Sequence, residues 1–139
     1  MRVWFFGSRS LERLTGPGAL AARNTTLLRI NQAVRKIGAG AVVVTGACPT
    51  GPDAWAERAA TRRGLQVERH PPDWNTHGRK AGILRNEEMA ASRPDFAVGA
   101  WDRVSRGTRH SIAMCRKYGI PFVVYGPKGD VIDSGPRRE

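Results

Sequence analysis

Residues 41–64 read AVVVTGACPTGPDAWAERAATRRG, and this stretch decides the fold. The apolar run at 41–44 has the length of one buried strand, and Thr45 and Gly46 after it indicate a turn. A helix is predicted from Pro52 to residue 63, because proline is tolerated in the first helical turn and Gly64 ends the pattern. The loop between them lacks the spacing of the dinucleotide-binding fingerprint and the lysine of a P-loop.

Four further strands are predicted from short apolar runs on both sides of this stretch. The run at 65–70 alternates apolar and polar residues, which suits a half-exposed edge strand. The other three runs lie at residues 3–6, 96–100 and 122–125.

Three further helices are predicted between these strands. Leu27, Ile30, Val34 and Ile37 share one helical face, with Asn24 or Thr25 as the start and Gly38 as the end. The other two helices are predicted over about 79–91 and 108–118, and residues 8–23 are predicted as a long loop or partly helical. Alternating strands and helices predict an α/β fold with a mainly parallel sheet of about five strands, covered on both faces.

Length and composition fit one domain. The chain has 139 residues, of which 40% are hydrophobic and 25% charged. We assign residues 1–125 to this domain and 126–139 to a tail in which Val131 and Ile132 add a short strand.

No apolar run approaches the ~18 residues of a membrane span, and the start is too short for a signal peptide, so we expect a cytoplasmic protein that does not bind membranes. Cys48 and Cys115 make no disulfide framework, and we assign no metal and no cofactor. A homo-oligomer is left open.

The charge is strongly positive. Lysine and arginine number 23 against 12 acidic residues, giving +11. Nineteen of the 23 are arginines. Codon bias in a GC-rich phage or actinobacterial genome would explain this excess of arginine over lysine. A site that binds phosphate in bidentate fashion would explain it as well. The placement of the basic residues favours a phosphate-bearing ligand, because many follow the predicted strand ends, namely Arg9, Arg13, Arg79, Lys80, Arg85, Arg103, Arg106 and Arg109.

Ligands in parallel α/β sheets bind beyond the carboxyl ends of the strands. Glycine and small hydroxyl residues follow three of the predicted strands there, where glycine lets a ligand approach the backbone and helix starts favour anions. The segments concerned are 7–9, 45–53 and 105–108.

Four segments in this order resemble the YspA-like, cpYpsA-related branch of the SLOG superfamily. They are GSR at 7–9, VVVTGACPTGPDAWAERAATRRG at 42–64, PPDWNTHGRKAGILRNEEM at 71–89, and the stretch from RGT at 106 to GIPFVVY at 125. The resemblance covers about residues 1–125. It implies a Rossmann-like three-layer sandwich and a pocket for a nucleotide or nucleotide-derived ligand. The superfamily includes LOG phosphoribohydrolases, DprA-type DNA-binding proteins and sensors paired with bacterial conflict systems.

The resemblance also implies a set of ligand-binding residues. Gly107 and Thr108 match the GT of the phosphate loop in LOG enzymes, but Ser111 stands where those enzymes have a glutamate, which puts the hydrolase reaction in doubt. If the protein is an enzyme, Asp53 or Asp102 would stabilise an oxocarbenium-like charge during cleavage of a ribosyl bond. The remaining implied residues are Gly7, Ser8, Arg9, Gly46, Gly51, Asp53, Arg85 and Asn86.

Several of these residues have a structural interpretation as well. Asp53 either orients a ribose or caps the second helix. Arg85 and Asn86 either grip the ligand or lie on a solvated helix face. Trp74 and Trp101 either stack on a base or close the core. Gly51 leaves room for phosphate oxygens or serves only the turn before Pro52.

Arg79 is also predicted to bind the ligand. Three titratable residues are weaker candidates for a role in the site. His77 and His110 are candidates for proton transfer or plain surface residues. Cys48 precedes a helix start, which predicts a lowered pKa, but no partner His or Asn is identifiable.

The sequence thus predicts binding of a nucleotide-derived, phosphate-bearing ligand at the carboxyl edge of the sheet, as a sensor or a ribosyl-bond-cleaving enzyme. The alternatives are a nucleic-acid-binding protein and a protein-interaction module in phage–host conflict.

Overall fold

The computed structural model describes residues 1–13 and 15–136. Within them the chain alternates between strands and helices as the sequence predicts. The elements are β1 Arg2–Gly7, α1 Ser10–Arg13, α2 Ala19–Lys36, β2 Val42–Thr45, α3 Pro52–Arg63, β3 Gln66–Arg69, α4 Trp74–His77, a 3-10 helix Gly78–Lys80, α5 Ala81–Ala91, β4 Phe96–Ala100, α6 Arg106–Lys117, β5 Phe122–Tyr125 and β6 Val131–Ser134.

The described strands form one sheet in the order β3-β2-β1-β4-β5-β6. The first five are parallel, and β6 pairs antiparallel with β5. The predicted Rossmann-like α/β fold is confirmed, and β3 is an edge strand as expected. The sheet has six strands in the described residues rather than about five, because the tail returns through a turn at Gly126 and Gly129 and adds β6. β6 contains Val131 and Ile132, where the sequence predicted a short extra strand.

Helices cover both faces of the sheet and make three layers. On the central strand β1, Val3 and Phe5 face a core shared with α2 and α3, where Ile30 and Trp55 are fully buried. Trp4 and its neighbours on that side face a second core shared with α5 and α6. The period of two along β1 therefore distributes its apolar side chains between two cores.

Two helices differ from their predicted extents. α2 begins at Ala19 rather than near residue 24, directly after Gly18, whose φ of 78° ends the preceding turn. The helix predicted over about 79–91 is observed as the last two residues of the 3-10 helix followed by α5. The short helix α4 precedes it, and Gly78, with a φ of 56°, separates the two. The helix over 52–63 has the predicted bounds, and Gly64 closes it.

The sheet order places a switch point beside β1. From β1 the chain moves to β2 on one side, and the later strand β4 lies on the other side. Connections from these strands leave in opposite directions, which opens a crevice beyond their carboxyl ends.

Candidate functional site

A cavity of about 590 Å³ lies at the carboxyl ends of β1 and β2, next to the start of α6. The structure brings the predicted ligand-binding residues together there, with the exception of Gly51. Those that line it are Gly7, Ser8, Arg9, Gly46, Asp53, Trp74, Arg79, Arg85, Asn86, Gly107 and Thr108.

Three hydroxyl groups form a cluster on one wall of the cavity. Ser8 Oγ lies 2.8 Å from Ser105 Oγ and 3.2 Å from Thr108 Oγ1, and Ser105 Oγ donates to Thr108 Oγ1 at 2.9 Å. Ser8 and Thr108 are buried, so these contacts fix the end of β1 against the start of α6. The cluster gives this wall several hydroxyl donors and acceptors.

The start of α6 is open to the cavity. Ser105 precedes the helix without a side-chain capping bond, and the first turn contains no acidic residue. Gly107 is exposed, and a side chain there would meet no neighbour. The first N–H groups of a helix lack intrahelical partners and carry partial positive charge, so this helix start suits an anion.

Arg85 and Asn86 are held inside the site rather than on a solvated face. The Arg85 guanidinium donates through Nη1 to the Gly46 carbonyl and through Nε to Asn86 Oδ1 at 2.8 Å. Asn86 is only 6% exposed, and its Nδ2 lies 3.5 Å from His110 Nδ1. Burial lowers the pKa of Arg85 from its ordinary value. Arg85 therefore fastens α5 to the loop after β2 while it lines the cavity.

Arg9 and Arg79 supply further positive charge to the cavity. Both are exposed, and among the residues that the structure describes neither guanidinium group has a hydrogen-bond or ion-pair partner. Guanidinium groups bind phosphate in bidentate fashion. These two side chains can bind an anionic ligand without first breaking a contact within the protein.

Asp53 is the buried acid of the cavity, only 7% exposed. Its Oδ2 accepts the backbone N–H of Cys48 at 3.2 Å, so it braces the loop before α3 instead of capping the helix. Burial raises the pKa of Asp53 from 3.8 to about 6, although the Cys48 hydrogen bond and the Arg85 charge act against this rise. A carboxyl with such a pKa exchanges protons near neutral pH.

An apolar wall also lines the cavity. Trp74 is 58% exposed at the mouth of the cavity, beside Pro71, Pro72 and Ile83. A Cβ at Gly82 would lie 3.8 Å from Trp74 Cη2, so the indole ring packs close to the start of α5. An exposed tryptophan next to cationic groups offers a flat surface on which a base can stack.

A family model for the YspA, cpYpsA-related SLOG family matches residues 1–77. The chain belongs to this family. It is also similar to the gene 61 protein of Mycobacterium phage D29, with 35% identity over 120 residues, which cover 83% of this chain and 95% of that protein. No solved structure matches the chain significantly. Membership in this SLOG family indicates binding of a nucleotide-related ligand at the level of the family.

Gly51 and Asp102, both candidate site residues, do not line the cavity. Gly51 packs against the backbone of Arg9. Asp102 lies in the loop before α6, where it accepts the N–H groups of Val104 and Ser105 at 2.8 and 2.7 Å. Partial burial would raise the pKa of Asp102, but these bonds and one from Ser10 lower it. Asp102 therefore braces the loop.

The remaining sequence candidates are Trp101, two histidines and Cys48. Trp101 donates through Nε1 to the Ser105 carbonyl at 3.1 Å and packs against the second core, which matches its core interpretation. His77 is exposed at the end of α4, and partial burial lowers the pKa of His110. The lowered pKa predicted for Cys48 is wrong, because burial raises it more than the hydrogen bond of Thr50 lowers it.

Sequence reasoning missed several residues of the cavity. The missed residues are Trp4, Phe6 and Met89, which line its apolar depth. Ser105 and Ser111, which the sequence analysis did consider, also line the cavity at the start of α6. The alternation along β1 was a usable signal, since it places Trp4 and Phe6 on the same face. Ser111 Oγ donates to the Gly107 carbonyl at 3.2 Å.

Two further features are absent from the described residues. No helix over residues 1–13 or 15–136 is long and apolar enough to cross a membrane. In the same residues, no group of three or more His, Cys, Asp or Glu side chains could hold a metal ion.

Proposed function

We propose that the cavity binds a nucleotide-derived ligand through its phosphate group. The observation that carries this proposal is the convergence of the open start of α6 with the unpartnered guanidinium groups of Arg9 and Arg79 on one cavity. Membership in the SLOG family supports a nucleotide as the source of the phosphate.

The phosphate lies at the start of α6 in this proposal. The donors on that wall are the N–H groups at Gly107 and Thr108, and the hydroxyl cluster of Ser8, Ser105 and Thr108 lies beside them. Arg9, which also lines the cavity, adds a cation. An anion at this position gains from the helix dipole and from charge-assisted hydrogen bonds.

The base lies against the apolar wall of Trp74 and Ile83. Stacking on an aromatic side chain is worth about 1–3 kcal/mol for one base. A cavity of about 590 Å³ also falls within the range of small-molecule sites. An exposed aromatic ring and cationic side chains at one cavity suit a ligand that carries both a flat ring and a phosphate.

The site binds this ligand without hydrolysing it, and the protein acts as a sensor. Ser111 holds the position of the LOG glutamate in the resemblance, and its hydroxyl is engaged with the Gly107 carbonyl. Asp53 is the carboxyl that lines the cavity, but it is bonded to the loop at Cys48.

Calorimetric titration with AMP, GMP, CMP and UMP tests the proposal, after native mass spectrometry of the purified protein for a retained nucleotide. We expect Arg9→Gln and Arg79→Gln each to weaken the best-bound monophosphate about tenfold or more, the scale of a lost charge-assisted hydrogen bond. Arg35→Gln is the matched control, because Arg35 is exposed near the end of α2 and also lacks a partner in the described chain. No binding of the four monophosphates, or equal losses in all three variants, would refute the proposal.

A second pair of titrations tests the base wall. Trp74→Ala should weaken the best-bound monophosphate about fivefold or more while ribose 5-phosphate binds as it does to the wild type. Equal losses for the two ligands would place the base elsewhere.

Nucleic-acid binding is the second candidate, favoured by the net charge of +11. A groove that neutralises many phosphates shows a steep fall of affinity with salt, whereas a pocket for one phosphate shows a shallow one. Titration of a single-stranded oligonucleotide at several salt concentrations separates the two. Tight binding with a steep slope that Arg9→Gln leaves unchanged would favour the nucleic-acid function.

A further inference from the structure

We infer that a second anion subsite adjoins the first and that the ligand therefore carries two linked phosphoryl groups. This inference rests on the proposed function and deepens it by naming the ligand class. A second cavity of about 520 Å³ is lined by Arg9, Ser10, Arg13, Thr15 and Ser105. The family comparison does not assign a role to Arg13 or Thr15.

The two cavities share two lining residues. Arg9 and Ser105 line both of them. A ligand group held by the start of α6 in the first cavity is therefore next to the second cavity, with the Arg9 guanidinium within reach of both. One bridging oxygen between two phosphorus atoms is a link short enough for this arrangement.

The second cavity is cationic and available. Arg13 is exposed and, like Arg9, its guanidinium has no hydrogen-bond or ion-pair partner among residues 1–13 and 15–136. Arg9 directly precedes α1 and Arg13 is its last residue, and both line the second cavity. Two guanidinium groups at one cavity suit a phosphoryl group, which accepts several charge-assisted hydrogen bonds.

The nearby carboxylates already accept hydrogen bonds from other groups of the protein. Glu12, between the two arginines, accepts hydrogen bonds from the Gly51 N–H and from Trp55 Nε1, both on the α3 side. Asp102 accepts bonds from Ser10 Oγ and from two N–H groups of its own loop. Neither carboxylate lines the second cavity. The positive charge of Arg9 and Arg13 is therefore not cancelled by a direct ion pair.

Hydroxyl groups complete the second subsite. The Thr15 side chain is exposed and has no hydrogen-bond partner in the described part of the chain, so its hydroxyl is available to a ligand. The Ser10 hydroxyl donates its hydrogen bond to Asp102. The ligand class that fits both cavities is a nucleoside diphosphate or a molecule with the same diphosphate link.

The test compares the best-bound monophosphate of AMP, GMP, CMP and UMP with the diphosphate of the same base, by calorimetry at fixed ionic strength without divalent metal. The wild-type protein should bind the diphosphate about tenfold or more tightly than the monophosphate. Arg13→Gln should reduce this preference to about twofold or less and leave the affinity for the monophosphate nearly unchanged. Arg35→Gln removes the same charge far from the cavities and should keep the full preference.

Each outcome decides between the two proposals. Equal wild-type affinity for the mono- and diphosphate, or a preference that survives in Arg13→Gln, overturns the second subsite and leaves the proposed function standing. Equal reductions of the preference in Arg13→Gln and Arg35→Gln also overturn it, because the preference would then follow net charge alone. No binding of any mono- or diphosphate overturns both proposals.

Discussion

The side-chain carboxylate of Glu12 accepts the backbone N–H of Gly51 at 2.9 Å, across 39 residues of sequence. Its second oxygen accepts Trp55 Nε1–H at 3.3 Å. The start of α3 is thus capped by an anion from α1, while the start of α6 has no acid in its first turn. At α6 the Asp102 carboxylate accepts the N–H groups of Val104 and Ser105, ahead of the first turn. The proposal therefore places the phosphate at the N–H groups that follow, at Gly107 and Thr108, where the first turn has no acid.

Replacing Glu12 by alanine should destabilise the fold, because it leaves the Gly51 N–H and the Trp55 indole without their acceptor. We expect the free energy of unfolding to fall by about 1–2 kcal/mol in urea titrations. Glu12→Gln keeps an acceptor oxygen and should lose less than half as much. Unfolding curves for Glu12→Ala that coincide with the wild type would show that this contact is not a cap.

The fold was predictable because its signals are local. Short apolar runs marked the strands, and Pro52 and Gly64 bounded α3 at the residues where it begins and ends. The turn that returns the tail for β6 also had a signal, the glycines at 126 and 129. The location of the site followed from the topology, since carboxyl ends of parallel strands meet at one edge.

The bonding within the site was not predictable. The Glu12 contact to Gly51 and the Arg85 contact to Gly46 join residues 39 positions apart, and neither side chain belongs to a periodic pattern. The raised pKa of Cys48 depends on burial, which the helix start next to it does not reveal.

Gly51 should matter to stability more than to ligand binding. Its φ is 82°, a value that side-chain-bearing residues rarely adopt, and a Cβ there would lie 3.1 Å from the Cα of Arg9. Gly51→Ala should therefore lower the unfolding free energy by about 1–3 kcal/mol in thermal or urea melts. The stabilising shift produced by a bound nucleoside monophosphate should remain.

Gly38→Ala is the matched control for Gly51. A Cβ at Gly38 meets no atom within 4 Å, and its φ is not positive, so its melting temperature should stay close to that of the wild type. A Gly51→Ala protein that melts normally but loses the ligand-induced shift would place this glycine in the binding site after all.

Ala47→Gly should stabilise the protein. Ala47 lines the cavity with a φ of 61°, where a Cβ costs about 1–2 kcal/mol. Glycine removes that cost but loses more entropy on folding, so we expect a net gain of about 0.5–1 kcal/mol. Ala39→Gly, at an exposed position without a positive φ, should instead lose stability. The same sign for both substitutions in urea titrations would contradict the argument.

The protein should not release free base from nucleoside monophosphates at an enzymatic rate. Hydrolysis of the LOG type needs a carboxylate where this chain has Ser111, whose hydroxyl is bonded to the helix backbone. Chromatography after overnight incubation with AMP should therefore show no adenine above a protein-free control. Adenine that accumulates with the wild type and disappears with Asp53→Asn would instead assign a glycosidase reaction to Asp53.

Asp53 should make stability depend on pH between about 4 and 6. Burial raises the pKa of Asp53 from 3.8 to about 6, so in this range the folded state binds more protons than the unfolded state. Stability from the protonated carboxyl is present below pH 4 and is lost as the pH rises through 6. Since one pKa unit corresponds to about 1.4 kcal/mol, the loss is about 3 kcal/mol.

Asp53→Asn removes this titration while keeping an oxygen for the Cys48 N–H, so its stability relative to the wild type should rise from pH 4 to pH 7 by a similar amount. Urea unfolding at pH 4, 5, 6 and 7 measures the difference. Asp73→Asn is the control and should show the opposite sign, because the hydrogen bonds of Thr76 lower the pKa of Asp73. At pH 7 the wild type should therefore be more stable than Asp73→Asn. A constant difference between Asp53→Asn and the wild type would mean that Asp53 ionises in the fold as easily as in water. Burial would then not shift the ionisation of Asp53 in the cavity towards neutral pH.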